Sequence, residues 1–192
     1  MNDSIFSRNS FIIQRNAPDD KETLLIVDQN MKSLCYVKHE HSWKRPKELP
    51  LAVGGMRTTD ARLEDTDGSL LGTITEVPVG LLRVVRKWLI NDEKNVFKGA
   101  VKEKPKFMSS DWLLENVEGN IVATIKGDRK KHNYEILTTD MYEQVIARCL
   151  AKNESSYELE VVFSSFDPFL ILCYVIVLDL VKTATVMSDS SL

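Results

Sequence analysis

Residues 169–178 read FLILCYVIVL, an unbroken apolar run that opens after Asp167-Pro168 and runs into Asp179-Leu180-Val181-Lys182. Aspartate before proline is a helix start. The carboxylate accepts hydrogen bonds from the first free N–H groups, and proline lacks an N–H at a position that has no partner for one. Val, Ile and Tyr are only moderate helix formers, so packing rather than propensity must hold the segment. A helix with no polar face is wrapped on every side, by protein or by lipid. A membrane span needs roughly 20 predominantly apolar residues. Here Asp179 and Lys182 interrupt the run, and each such charge near a span centre costs on the order of 3 kcal/mol. The segment therefore reads as a helix buried inside protein over 169–181. Asp179 then has a structural role: a carboxylate in that position needs backbone N–H groups or a basic side chain such as Lys182 as partner.

The rest of the chain supplies the wrapping. Working back from the helix, short apolar-alternating stretches pair across polar turns: 134–137 with 145–150, 112–116 with 121–126, 84–90 with 96–102, 61–64 with 70–75, and 24–27 with 33–37. A further stretch, 157–163, precedes the helix. The turns are built of Asp, Asn and Gly, which tolerate the positive φ of tight hairpins. The stretches between them alternate in Val, Ile, Leu and Tyr, as half-buried strands do. Two polar stretches break the pattern and read as loops: 39–59, with Pro46, Pro50, Gly54 and Gly55, and 102–110, KEKPKFMSS. Strands all round a helix imply a closed antiparallel β-barrel, wider than the eight strands whose interior holds only side chains.

Taken in order, these elements resemble the tubby C-terminal-like superfamily, and within it the LURP-one-related and phospholipid-scramblase-like proteins. The matching pieces are Val27-Asp28-Gln29-Asn30, the 63–71 stretch LEDTDGSLL, Arg86-Lys87-Trp88, the 117–123 stretch VEGNIVA, and Asp167-Pro168 through Asp179. The resemblance covers about residues 11–183 and implies a barrel of about twelve strands around a buried hydrophobic C-terminal helix, here about 168–183. It makes 11–183 one domain, with 1–10 and 184–192 as flexible ends. It also implies a link to phosphoinositides or to phospholipid movement and calcium. The scramblases' acidic calcium segment is not matched: Ser164-Ser165-Phe166-Asp167 holds one acid, Asp167. No residue-by-residue match to tubby's basic pocket can be assigned.

Composition narrows the function classes. Of 192 residues 43% are hydrophobic, enough for a core, and the net charge is -3, against bulk binding of nucleic acid. Cys35, Cys149 and Cys173 are odd in number, widely spaced and without a CxxC, which predicts buried thiols in a reducing compartment. The first ten residues lack both the basic and the apolar regions of a secretory signal, which predicts a cytoplasmic protein, peripheral at the membrane if it binds lipid. No G-x-S-x-G, phosphate-cradling glycine loop or H-E-x-x-H occurs. The chain is accordingly expected to be no enzyme, with no catalytic residues, no cofactor and no metal.

Two basic clusters are the candidate binding residues. Lys126, Arg129, Lys130 and Lys131 surround a turn, and Lys44, Arg45 and Lys47 follow Trp43. Such groups hold phosphate head groups or an anionic membrane surface at about 1 kcal/mol each; the plain alternative is solvated turns. Arg83 and Lys87 share one strand face while Arg86 points to the other, and outer-face solubility is the role read for them. His39 and His41 share a strand face without a third metal ligand, and Asp65-Thr66-Asp67-Gly68 lacks the downstream glutamate of a calcium loop. The sequence thus predicts an intracellular module that meets anionic phospholipid through basic loops, or else a scaffold for protein partners, with Asp167, Pro168 and Asp179 as structural residues.

Overall fold

A computed structural model describes residues 8–15, 23–44, 56–79, 85–105, 110–128, 133–153, 155–163 and 165–189. Twelve strands precede one helix: β1 (Ser10–Arg15), β2 (Thr23–Val27), β3 (Ser33–Lys44), β4 (Met56–Asp65), β5 (Leu70–Val79), β6 (Val85–Asp92), β7 (Phe97–Pro105), β8 (Ser110–Glu115), β9 (Ile121–Asp128), β10 (Asn133–Thr138), β11 (Val145–Ala151), β12 (Ser156–Val161) and α1 (Pro168–Asp189). Each strand pairs antiparallel with its neighbours in sequence, and β1 closes the ring on β12, with Phe11 opposite Leu159. Closure leaves no strand edge open.

One local device is used five times. At 28–32, 65–69, 92–96, 116–120 and 138–144 a short turn carries one residue at positive φ: Met31 (63°), Gly68 (86°), Asn95 (60°), Gly119 (81°) and Glu143 (43°). Just before each turn the strand register slips by a residue, as between Ile26 and Val27 or between Ile90 and Asn91. This is the type I turn with a following bulge that fits the strands' right-handed twist. At three of the five, the side chain of the first residue locks the turn. Asp28 Oδ1 accepts the N–H groups of Asn30 and Lys32, both at 2.9 Å. Asp92 and Asn116 do the same at their turns.

Alternation along the strands sends Phe11, Ile13, Leu24, Ile26, Leu63, Ile74, Trp88, Ile90, Leu114, Ile136 and Leu159 into one core with α1. Residues 169–180 of the helix are all buried, Asp179 included. Asp167 caps it, its Oδ1 accepting the Phe169 N–H at 2.9 Å. Where the helix enters, strands give way: a Cβ at Gly72 would lie 2.6 Å from Phe169 Cζ and 2.7 Å from the Asn91 carbonyl. Further in, the Tyr174 hydroxyl donates to the Trp112 carbonyl.

Three sequence expectations are corrected. The supposed loop 39–59 is strand at both ends: β3 and β4 stay in register from Cys35 opposite Asp65 to Lys44 opposite Met56. Its inner face turns polar toward that end of the barrel, with His39, His41 and Thr59 in the places of apolar residues, so apolar alternation fades while backbone pairing continues. Residues 45–55 lie outside the described residues. The supposed loop 102–110 is likewise mostly strand, with Lys102, Glu103 and Lys104 opposite Leu113, Trp112 and Asp111; Pro105 sits at the end of β7, where a strand tolerates it. The helix passes 183 and is described to Asp189, since no Gly or Pro interrupts 169–189.

Candidate functional site

An up-and-down barrel sorts its connections by parity. The five short turns and the helix start stand at one end, the turn end. The chain leaves β1, β3, β5, β7, β9 and β11 at the other, the loop end. Charge follows the same division. The five turns hold Asp28, Asp65, Asp67, Asp92, Glu93, Glu118, Asp140 and Glu143 against Lys32 and Lys94. The stretches linking strands at the loop end hold Lys21, Arg45, Lys47, Arg83, Lys106, Arg129, Lys130, Lys131 and Lys152 against Asp19, Asp20, Glu22, Glu48 and Glu154. In sequence, the five turns are net acidic and the stretches linking strands at the loop end, most of them outside the described residues, are net basic.

The two basic clusters attach to the same end. Lys44 closes β3 and Asp128 closes β9, and both strands run toward the loop end. Arg45, Lys47, Arg129, Lys130 and Lys131 lie outside the described residues, as does the side chain of Lys44. Lys126 is exposed and stands 3.9 Å from the equally exposed Glu143, a pair that solvent screens to little. It borders a surface depression of about 290 Å³ with Asn133, Tyr134, Glu135, Arg148 and Leu150. Arg148 is held by Glu135 at 3.2 Å. Lys102 and Lys104 extend β7 toward the same end, Lys104 exposed.

Inside that end the lumen is polar and its charges are matched. Arg15, on β1, donates from Nη2 to Asp179 Oδ1 at 2.7 Å. Arg86 donates from Nε to the buried Glu76 at 2.5 Å and lies over the Trp88 ring, 4.9 Å from its centroid. The other Glu76 oxygen accepts the Thr59 N–H at 2.7 Å. Arg86 thus points inward, two residues before Trp88, while Lys87 faces out and pairs with Glu115 at 2.5 Å. Arg86 and Lys87 lie on opposite faces, as strand alternation has it; the face of Arg86 is that of Trp88, so solubility is corrected as its role. Burial first, and then the charge of Asp179, pushes the Tyr157 hydroxyl well above its ordinary range.

At the turn end the carboxylates serve backbone. The Lys32 N–H, with help from Arg8, holds Asp28 below the usual carboxylate range despite the opposing effect of burial. The Val96 N–H does so for Asp92, again against burial and with Lys98 adding, and the Ser69 N–H for Asp67. Asp65-Thr66-Asp67-Gly68 is such a turn, its Gly68 N–H donating to the Asp65 carbonyl at 2.9 Å. His39 is buried on β3, and His41 Nδ1 hydrogen-bonds with Thr59 Oγ1 at 3.0 Å. Among the described residues no three His, Cys, Asp or Glu side chains are grouped to hold a metal ion. Among them, too, no helix is long and apolar enough to cross a membrane.

Arg15 and Glu76 escaped the sequence reading. Gln14-Arg15 and Glu76 look like ordinary polar strand ends, and only the register of closure turns them inward. The need of Asp179 for a cation was the one available signal.

No protein-family model and no curated protein matches the sequence. An X-ray structure of a protein from Arabidopsis thaliana matches with a TM-score of 0.55 over 90% of this chain and 91% of that one, at 17% identity. A likeness at that identity is one of fold: a closed barrel with a C-terminal helix.

Proposed function

We propose that the barrel is a non-enzymatic module that binds anionic phospholipid head groups at a membrane surface through its basic loop end. This is the role implied by its resemblance to the tubby-like, LURP-one-related and scramblase-like proteins. What supports the reading is the division of charge in the sequence between the two sets of connections that an up-and-down barrel sends to opposite ends. Basic side chains near an anionic surface contribute about 1 kcal/mol each and lose it beyond a Debye length. A molecule basic at one end and acidic at the other meets such a surface in one orientation. Anionic lipids crowd the cytoplasmic leaflet, and the buried, unpaired thiols Cys35, Cys149 and Cys173 fit a reducing cytoplasm.

The test is co-sedimentation of the full chain with phosphatidylcholine vesicles, alone or doped with phosphatidylserine or a phosphoinositide, across a salt series. Binding is expected only to the anionic vesicles, weakening as salt rises and vanishing when Lys126, Arg129, Lys130 and Lys131 are reversed to glutamate. Equal binding to neutral vesicles, or none to any, defeats the proposal.

A further inference from the structure

The turn end carries a feature that lipid binding at the loop end does not use. Ten large apolar side chains are exposed among the described residues, and all but Leu150 stand in or beside the connections of the turn end. Met141 and Tyr142 are the extremes, 86% and 73% exposed. They are not scattered. Apart from Met31 they occupy consecutive connections round one side of the rim: β6–β7, β8–β9, β10–β11 and β12–α1. The arc is tied together, Thr139 Oγ1 donating to the Ile121 carbonyl at 2.8 Å and the Val162 N–H to the Ile146 carbonyl at 2.8 Å.

Turn formation does not call for them. The 65–69 turn has the same backbone hydrogen bonds and a positive-φ glycine with no apolar residue at its tip. Exposed aromatic and methionine side chains set together on a rim are what protein interfaces use as anchors. Glu93, Glu118, Asp140 and Glu143 are interleaved with them, against Lys94, 4.0 Å from Glu93, and Lys126, 3.9 Å from Glu143, which leaves the arc net acidic. That charge selects a basic partner and opposes an anionic bilayer.

We infer that this arc, centred on Met141 and Tyr142, is a docking surface for a protein segment in which apolar side chains alternate with lysine or arginine, as on a basic amphipathic helix. The inference stands independently of lipid binding. If both hold, the barrel is a two-ended adaptor, with the bilayer at one end and a basic protein segment at the other.

The probe is a synthetic amphipathic helix of leucine and lysine, titrated into the full chain and followed by amide NMR shifts, with a leucine–glutamate helix as control. Shifts are expected to saturate and to cluster on the four connections of the arc. The double variant Met141→Ser, Tyr142→Ser should bind about tenfold more weakly, as for removal of interface anchors. Both residues are exposed, so its melting curve should overlay that of the parent. Shifts elsewhere, an unchanged affinity in the double variant, equal binding of the acidic helix, or no binding would each overturn the inference. So would loss of vesicle binding in the double variant, which would assign the arc to lipid.

Discussion

Arg15 and Asp179 are joined by a 2.7 Å ion pair that ties the closing strand of the barrel to the last buried turns of its helix. The two partners are unequal: the Arg15 side chain is 37% exposed and that of Asp179 2%. Losing one partner of such a pair costs mainly what the survivor then suffers. Arg15→Met takes the guanidinium's charge away from a buried carboxylate, whereas Asp179→Leu leaves a guanidinium that can turn to water. Arg15→Met is therefore expected to cost about 3 kcal/mol and Asp179→Leu clearly less, by denaturant unfolding. Equal costs would show that the guanidinium is not what compensates the carboxylate.

Packing around the helix sets a second expectation. Leu172→Ala and Ile176→Ala, both fully buried, should each lose about 2–5 kcal/mol through the cavity they leave. Gly72→Ala errs the opposite way, by overfilling against Phe169 and a backbone carbonyl that cannot move aside; about 1–3 kcal/mol is expected. The pair Gly72→Ala, Phe169→Leu should recover part of that loss, which a purely backbone effect would not allow.

Two of the five turns place an ill-suited side chain at positive φ. Met31 has φ 63° and is 58% exposed. A left-handed conformation costs an L-residue roughly 1–2 kcal/mol, and glycine nothing, less its greater entropy when unfolded. Met31→Gly should raise stability by about 0.5–1 kcal/mol, visible as a higher midpoint in urea. A fall would mean that the side chain makes a contact worth more than the strain.

Acid should loosen the turn end. Asp28 and Asp92 have folded pKa values below their ordinary ones, held there first by backbone N–H groups. Their contribution is complete above the unfolded value, about 4, and is lost as pH falls through the lower folded value. Asparagine keeps the acceptor oxygen and does not titrate, as Asn116 shows at its own turn. The double variant Asp28→Asn, Asp92→Asn should thus lose less stability than the parent between pH 5 and pH 2.5. An unchanged acid profile would place the acid sensitivity elsewhere.

The helix was legible because ten apolar residues in a row after Asp-Pro admit few other readings. The hairpins were legible because Asp, Asn and Gly recur at the one place where a bulged turn needs them. The ends of β3, β4 and β7 were not. There the lumen turns polar, and a strand that pairs through its backbone with polar side chains on both faces looks like a loop. The inward ion pairs were hidden for a related reason: Arg15 and Glu76 face the lumen only because β1 and β5 sit in a particular register. The division of charge was present in the sequence throughout. It becomes visible only when an up-and-down barrel sends every second connection to the same end.

The claim that matters most is orientation: loop end toward the bilayer, turn end away from it. The native thiols permit a direct test. Burial pushes Cys35 and Cys149 up to about 12, with Asp65 adding at Cys35, and raises Cys173 as well, so none should react with a thiol reagent in the folded protein at neutral pH. A single cysteine placed at exposed Ser155, at the loop end, or at exposed Asp67, at the turn end, then takes an environment-sensitive fluorophore alone. With phosphatidylserine vesicles carrying a lipid-borne quencher, the label at 155 should shift to the blue and be quenched, and the label at 67 should not respond. A response at 67, with 155 silent, would contradict the account.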